Sequence, residues 1–288
     1  MKVTPTITQF CHNTWKLEAQ VQHISQTEQC VYVVTEQTPF HPVSHIWPDH
    51  PADKGWLNGE VVIDCQVGAV ELASGDLYVG QEIPVKRDQP GWVFVVVHCL
   101  AEDSPSLSVG QVVTLEVDKA YQQSLSRGHS AGHIAYLALN KVLNQNGYWR
   151  KDADRKDPHG NYDFNSYAQV TSFVTPDQCL DRYRLGKTLR KRGLNSADLL
   201  QNLADIELKV NQQVEAWLAL GGTIHIECHG EALTDSRYWQ CDLGEGEPAV
   251  IPCGGTHASS LDEYARIQVQ LKAVDEQNIE MLTLVMAK

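Results

Sequence analysis

The sequence predicts an α+β fold in two domains, and three observations support this prediction. The chain has 288 residues, more than one compact domain usually holds. Short β-rich runs between Gly/Pro turns fill the first 120 residues, whereas helical periods and a few strands follow. We therefore expect one domain over residues 1–122 and a second over residues 123–288.

The first domain is predicted to be a small β-barrel, because its strands are short and closely spaced. Turn sequences such as Asn58-Gly59 and Gln89-Pro-Gly91 separate the strands. The predicted strands are Trp15–Gln22, Cys30–Thr35, Glu60–Asp64, Ala69–Leu72, Trp92–Val97 and Val112–Val117.

The second domain begins with a predicted helix over Ser126–Asn144, for which Ser124 or Ser126 provides an N-cap and Gly147 follows the end. A second helix is predicted over Ser196–Leu220, capped by Ser196 and ended by two glycines. Strands are predicted to follow at Thr223–Glu227, Tyr264–Leu271 and Ile279–Met286.

The charge pattern leaves two interpretations open. The net charge is −13, which is unfavourable for nucleic-acid binding, but the acidic excess is concentrated in the first part of the chain. Basic residues cluster at 150–156 and at 181–193. A local basic face can bind phosphates on an acidic protein, because screening makes nearby charges dominate. The same clusters are also typical of a solvated helix face.

The sequence contains no apolar run of membrane-spanning length, the longest being Trp92–Val97. The N-terminus lacks the apolar core of a signal peptide, so we expect a cytoplasmic protein that does not bind membranes. The eight cysteines are scattered, which favours buried hydrophobic residues in a reducing compartment over disulfides. Cys253 is the exception because of its neighbours.

Two short motifs far apart in the chain predict a metal site. His129-Ser-Ala-Gly-His133 places two imidazoles four residues apart, on one face of the predicted helix. Cys253-Gly-Gly-Thr-His257 adds a thiol and a third imidazole, and we expect its two glycines to form a tight turn with positive φ. Three imidazoles and one thiolate satisfy a tetrahedral Zn²⁺ ion.

The sequence leaves the role of this ion open. Four protein ligands are typical of a structural zinc site, whereas a catalytic site keeps one position for water or substrate. A second HxxxH pair, His41 and His45, has Pro42 between its histidines, which makes a helix there improbable. The sequence contains no P-loop or GxGxxG motif.

The order of four motifs resembles the editing domain of alanyl-tRNA synthetase and the free-standing alanyl-tRNA editing proteins of the AlaX type. These motifs are HSAGH, Tyr162-Asp-Phe164, Val210-Asn211 and CGGTH. The stretches Thr38–Pro42 and Pro51–Gly59 are similar to the N-terminal barrel of the medium-length members. Because no aminoacylation domain accompanies the motifs, the free-standing form fits better.

The resemblance implies a zinc-dependent deacylase that removes serine or glycine from mischarged tRNA(Ala). It implies one Zn²⁺ per chain, held by His129, His133, Cys253 and His257, and it maps a substrate-contacting threonine onto Thr38. We further predict that the backbone N–H groups of Gly254 and Gly255 stabilise the oxyanion. We predict that tRNA phosphates bind to the basic residues Arg182, Arg184, Lys187, Arg190, Lys191 and Arg192.

One loop departs from the family pattern. The family has a glycine run between the threonine motif and the later Asp-x-Gly, whereas residues 43–50 here contain no glycine and introduce His45, Trp47 and His50. This loop leaves the amino acid and the tRNA open. The alternatives are a hydrolase of the same fold for another aminoacyl-tRNA or small ester, and a non-catalytic RNA-binding module stapled by zinc.

Overall fold

The computed structural model describes residues 2–288, which form two compact units. The first unit extends to Gln123 and also contains Cys228–Arg237 and Gly254–Thr256. The second contains Ser124–Glu227, Tyr238–Cys253 and His257–Lys288. Two short segments from the second half of the sequence therefore group with the first unit. The boundary near residue 122 stays a prediction about separately folding domains.

The first unit is built on strands. A parallel pair joins β1 (Ile7–Thr8) to β4 (Gln37–Thr38). The main sheet has the order β6-β5-β10-β2-β3-β9-β7-β8. Its strands are β2 (Lys16–Gln26), β3 (Cys30–Thr35), β5 (Gly55–Leu57), β6 (Glu60–Val62), β7 (Asp64–Glu71), β8 (Leu77–Val79), β9 (Trp92–Ala101) and β10 (Val112–Val117).

This sheet is antiparallel and curled. Strand β2 pairs with β10 through its first half and with β3 through its second half, and a bulge lies between Val21 and His23. The structure therefore gives an antiparallel sheet where the sequence predicts a small barrel. Within residues 2–288, no hydrogen-bonded pairing joins the outer strands β6 and β8, so barrel closure is not established.

The second unit combines helices with two antiparallel sheets. The helices are α1 (Lys119–Gln145), α2 (Phe164–Ala168), α3 (Lys187–Lys191), α4 (Ser196–Gln201) and α5 (Leu203–Leu220). One sheet has the order β11-β12-β17-β16 and the other β13-β14-β15. These strands are β11 (Gln169–Thr175), β12 (Gln178–Arg184), β13 (Ile224–Cys228), β14 (Arg237–Cys241), β15 (Ala249–Pro252), β16 (Tyr264–Ala273) and β17 (Asn278–Ala287).

Helix α1 begins earlier than the sequence predicts. The N–H of Tyr121 donates to the Asp118 carboxylate at 3.0 Å, which caps the helix one residue before Lys119. Ser124 and Ser126 are therefore buried helical residues rather than N-caps. The apolar period identifies the helix correctly, but the residue that caps it, Asp118, lies upstream of both serines.

The predicted second helix is two helices. Asn202 leaves helical geometry with φ −109° and ψ 20°, and this break separates α4 from α5. The cap of α4 is Asn195, whose side chain accepts from the N–H of Asp198, and not Ser196. Gly221 ends α5 with φ 67°, as predicted.

Helix α5 is fixed on the sheet by a side-chain amide. Asn211 donates to the carbonyl of Val269 at 2.7 Å and accepts from the N–H of Val269 at 2.8 Å. The buried face of α5 joins one apolar core with α1 and the β16–β17 strands. Among residues 2–288, no helix is both long and apolar enough to cross a membrane.

Candidate metal centre

Helix α1 presents two imidazoles from one rigid face. His129 and His133 are one turn apart, and their ring centroids lie 4.8 Å from each other. Two glycines let this helix approach β12 closely: a Cβ on Gly128 would lie 2.6 Å from the carbonyl oxygen of Gln178, and one on Gly132 would lie 2.8 Å from the Cys179 sulfur. The glycines of this helix thus fix where its histidines lie.

The second motif brings its ligands to the same place. One donor atom from each of His129, His133, Cys253 and His257 lies within 4.8 Å of the others. The Cys253 sulfur is 3.4 Å from His129 Nε2. A tetrahedral zinc site with ordinary Zn–S and Zn–N bonds places these atoms about 3.6 Å apart. The spacing therefore fits a shared metal ion.

Ser130 orients the fourth ligand. Its Oγ lies 3.1 Å from Nδ1 of His257, and it accepts from the N–H of Ala258 at 3.1 Å and from Trp239 Nε1 at 3.3 Å. Because Nδ1 is engaged with Ser130, Nε2 is the atom that would bind a metal. Nδ1 would then carry the proton and donate to Ser130, an arrangement that fixes the ring of a metal-bound histidine.

His133 supplies the test of whether a metal fits. Its Nε2 is buried and has no hydrogen-bond partner among the described residues. Burial lowers the pKa of His133 to about 4, so the ring is neutral at neutral pH. A buried ring nitrogen aimed into a group of nitrogen and sulfur donors has the chemistry of a ligand for a borderline cation such as Zn²⁺.

The turn between Cys253 and His257 differs from expectation. Neither Gly254 nor Gly255 has positive φ, so the prediction of a left-handed turn there is wrong. The chain leaves β15 and passes through the turn without needing left-handed backbone. A Cβ on Gly254 would meet only the Arg237 guanidinium, at 3.9 Å. An alanine therefore fits sterically at this position.

No model of a known protein family matches the chain. The chain is 25% identical over 236 residues to the alanyl-tRNA editing protein AlaX-M of Pyrococcus horikoshii, covering 82% of this chain and 78% of that relative. The chain is a relative of the AlaX-type alanyl-tRNA editing proteins. This bears out the resemblance that the sequence motifs predict.

The AlaX-type relationship extends to longer enzymes. The chain is 32% identical over 254 residues to an alanine–tRNA ligase of Thermotoga petrophila, covering 84% of this chain and 23% of the ligase. It is 25% identical over 265 residues to the enzyme of Caldivirga maquilingensis, covering 91% of this chain and 24% of the ligase. The chain thus spans about a quarter of the length of these ligases.

Thr38, which the AlaX-type resemblance maps to substrate contact, lies in the first unit and is fully buried. The carbonyl of Val33 lies 3.1 Å from His98 Nδ1, so Nδ1 carries the ring proton. The Thr38 hydroxyl then donates to His98 Nε2 at 2.8 Å and accepts from the N–H of Phe40 at 3.1 Å. These bonds fix the chain after β4, and the substrate role of Thr38 stays a prediction.

The loop that departs from the AlaX-type pattern makes a specific contact in the first unit. The ring of His50 donates from Nδ1 to the carbonyl of Pro51 at 2.9 Å, which leaves Nε2 as an acceptor. Nε2 lies 3.2 Å from the hydroxyl of Thr256, the residue before His257. His41 packs on His50 with ring centroids 4.3 Å apart. Burial lowers the pKa of His50 to about 4, so the ring is neutral at neutral pH and its Nε2 can accept from the Thr256 hydroxyl.

The predicted tRNA-binding residues fall into two groups. Arg182 and Arg184 are exposed on β12, whereas Lys187, Arg190, Lys191 and Arg192 belong to α3 and its C-cap. Arg182 is paired with Glu280 at 2.8 Å and Arg192 with Asp154 at 3.1 Å.

The structure also joins the two basic clusters of the sequence. Arg190 lines one surface groove together with Arg150 and Lys151. The groove forms because the N–H of Arg150 donates to the carbonyl of Gly193 at 2.8 Å. The sequence indicates each cluster but not that the two meet.

The residues that sequence reasoning missed are those whose hydrogen bonds position the residues of the CGGTH motif. Ser130 contacts His257, Trp239 donates to Ser130, and His50 accepts from Thr256. Ser130 lies inside the HSAGH motif, so its position beside His129 was a usable signal. No sequence spacing connects His50 with Thr256.

Proposed function

We propose that the protein is a zinc-dependent hydrolase that deacylates mischarged tRNA in trans. The observation that carries this proposal is the four-donor cluster of His129, His133, Cys253 and His257, in a chain related to an alanyl-tRNA editing protein. The proposed substrates are tRNA(Ala) charged with serine or glycine. Cytoplasmic localisation is part of the same proposal.

The reaction is hydrolysis of an ester. A water oxygen bonds to the carbonyl carbon of the amino acid, the bond from that carbon to the ribose oxygen breaks, and a proton from the water passes to this ribose oxygen, which becomes a hydroxyl. A bound Zn²⁺ would supply Lewis-acid polarisation of the carbonyl or of the water. His129, His133, Cys253 and His257 would hold the ion, and Ser130 would keep the His257 ring in the binding orientation.

The turn after Cys253 would bind the ester that is cleaved, and the basic groove would bind the tRNA. The backbone N–H groups of Gly254 and Gly255 are proposed to donate to the oxyanion. The tRNA phosphates are proposed to lie against Arg190, Arg150 and Lys151, which line one groove. The remaining cations of β12 and α3 are proposed to bind further phosphates.

The test is the rate at which zinc-loaded protein releases serine from seryl-tRNA(Ala), with alanyl-tRNA(Ala) in parallel. We expect rapid loss of serine while alanine is spared, and we expect Cys253→Ser to abolish the difference. A folded, metal-replete protein that hydrolyses no aminoacyl-tRNA faster than buffer does would overturn the proposal. Tight RNA binding without turnover would instead support the zinc-stapled RNA-binding module.

One observation favours a second candidate, which is hydrolysis of a different aminoacyl ester. The loop of residues 43–50 lacks the glycine run of the family and carries His50, which accepts from Thr256. A loop rebuilt at this position is expected to alter which amino acid is accepted. Faster release of another amino acid than of serine, in a screen of aminoacyl-tRNAs, would favour this candidate.

A further inference from the structure

A second group of sulfur and nitrogen donors lies in the first unit, separate from the CGGTH motif. Cys11 and His12 belong to the short 3₁₀-helix Phe10–His12, and Cys228 is the last residue of β13. One donor atom from each lies within 4.8 Å of the other two. Cys11 and His12 are far from Cys228 in the sequence, and the proposed deacylase chemistry uses none of the three.

Backbone hydrogen bonds hold the two contributing segments together. The N–H of Thr8 donates to the carbonyl of Glu231 at 2.9 Å, and the N–H of Leu233 donates to the carbonyl of Thr6 at 3.2 Å. Asn13 then turns the chain with left-handed φ of 55°, which ends the 3₁₀-helix directly after His12. The two thiols are therefore brought together by the fold itself.

We propose that Cys11, His12 and Cys228 form a second metal site, which binds a thiophilic divalent cation of the Zn²⁺ class with a water molecule as the fourth ligand. Two thiolates and one imidazole are a ligand set that Zn²⁺ accepts when it keeps one open position. Ordinary Zn–S and Zn–N bonds require donor atoms about 3.5–3.8 Å apart, so the group, whose donors lie within 4.8 Å of one another, needs to contract by no more than about 1.3 Å.

The exposure of the three residues supports an accessible site. His12 is exposed, and Cys11 and Cys228 are half-buried. The other cysteines of the first unit, Cys30, Cys65 and Cys99, are buried. The Cys11 thiol donates to the carbonyl of Thr8 at 3.5 Å, a weak contact that it can exchange for a metal bond.

Binding would be coupled to proton release. The ion would form two metal–sulfur bonds and displace one proton from each thiol, while the neutral His12 ring would contribute a lone pair. Burial and the neighbouring Cys11 raise the pKa of Cys228 to about 11, and the Arg237 guanidinium opposes this rise. Arg237 would also interact favourably with the resulting thiolate, because its positive charge lowers the pKa of Cys228.

The proposed metal ion would cross-link two segments of the chain. It would join the chain after β1 to the end of β13, in a region where Arg237 already donates to Thr8 Oγ1 at 2.6 Å and to the carbonyl of Ala232 at 2.9 Å. An ion bound only by the folded chain stabilises that chain by mass action. Metal loading is therefore expected to raise the Tm through this site as well as through the first one.

The test counts metal ions in reduced protein. The full chain is purified and loaded with Co²⁺ or Zn²⁺ under anaerobic conditions, freed of loosely bound metal, and measured by elemental analysis. We expect about two ions per chain in the unaltered protein, about one in Cys253→Ser, about one in Cys11→Ser, and about none when both are combined. Cobalt-loaded Cys253→Ser should retain a thiolate-to-cobalt charge-transfer band, which Cys228→Ser should remove.

A matched pair of histidine variants isolates the third ligand. His12→Ala should weaken cobalt binding to the Cys253→Ser protein about 10-fold or more, whereas His225→Ala, which alters an exposed histidine on β13, should leave it unchanged. Thermal unfolding of each metal-free variant shows whether the chain has folded.

Three results would overturn the proposal of a second site. These are a metal content that Cys11→Ser does not alter, a cobalt-loaded Cys253→Ser protein without a thiolate band, and a Cys11–Cys228 disulfide in anaerobic protein. The first site fails separately, if Cys253→Ser leaves the metal content unchanged while Cys11→Ser lowers it. The outcomes for the two sites are therefore distinguishable.

Discussion

Two histidine pairs with the spacing HxxxH, His41/His45 and His129/His133, have different structural results. The second pair lies on α1, where one helical turn separates two rings that face Cys253 and His257. The first pair lies in the non-helical segment after β4. There His41 packs against the ring of Phe10, with centroids 5.0 Å apart, and His45 lies near Phe94.

The difference shows that spacing predicts a metal site only together with backbone geometry. Four residues return a side chain to the same face in a helix, but Pro42 prevents a helix in the first pair. The N–H of His41 instead donates to the Asp53 carboxylate at 2.7 Å. One pair therefore belongs to a group of four donors, and the other pair contributes to packing.

The largest expected effect comes from exchanging a histidine in each pair. His133→Ala should remove the bound metal and lower deacylation at least about 100-fold, because the cluster loses one of four ligands. His45→Ala should keep the bound metal and the deacylation rate, since its ring lies near that of Phe94 and is not one of the four donors. Metal content and rate are measured on the same preparations. Equal metal loss in the two variants would refute the distinction between the pairs.

A second comparison concerns the protonation of the histidines that pack in the first unit. The pKa of His50 is lowered to about 4 by burial, whereas in the unfolded chain it lies near the ordinary 6.5. The contribution of the neutral His50 ring to the stability of the folded protein is therefore fully present above pH 6.5, and it is lost as the pH falls towards about 4. The full loss amounts to about 3 kcal/mol in the free energy of unfolding.

His50→Gln should remove this pH dependence while keeping an acceptor for the Thr256 hydroxyl. Denaturant unfolding of metal-free protein between pH 7 and pH 4 is the measurement. Burial also raises the pKa of the nearby Asp53 to about 7, an effect of opposite sign. That contribution is present in both proteins and cancels in their difference. Parallel pH profiles for the two proteins would contradict the assignment.

Helix α1 differs from the segment after β4 in that it packs closely on a neighbouring strand, β12. Gly128→Ala should destabilise the protein by about 1–3 kcal/mol, because its Cβ would lie 2.6 Å from the Gln178 carbonyl oxygen and 2.8 Å from that of Thr175. Gly186→Ala is the control, since a Cβ there has no neighbour within 4 Å. Equal unfolding midpoints for the two variants would show that α1 does not depend on this close approach.

Sequence reasoning succeeds where one local rule determines the structure. Cys30–Thr35 and Val112–Val117 are strands with the predicted bounds, because β-branched runs end at turn residues. The four donors converge because helical spacing and a short loop each bring two of them together. Sequence reasoning fails where two local rules compete. The serines at 124 and 126 are good caps, but Asp118 forms the cap first.

The β11–β12 hairpin shows a second kind of failure. Arg182 and Arg184 alternate with the buried Asp181, Tyr183 and Leu185, which is a strand period, yet the charge cluster is also typical of a helix face. Contacts such as that of His50 with Thr256 depend on tertiary packing alone. No residue spacing encodes them, so only the folded chain reveals which parts of the loop support the CGGTH turn.

The smallest expected effect extends the comparison from histidines to cations, which are likewise close in sequence but differ in surroundings. Arg190 lines a groove with Arg150 and Lys151, whereas Arg182 is paired with Glu280. Arg190→Glu should weaken tRNA binding and reduce the slope of log K against log salt by about 1, because one phosphate contact is lost. Arg182→Glu should have less effect, since Glu280 already compensates that charge. Filter binding across a salt series measures both slopes. If Arg182→Glu lowers the slope as much as Arg190→Glu does, the basic surface binds tRNA as a diffuse face and the groove has no special role.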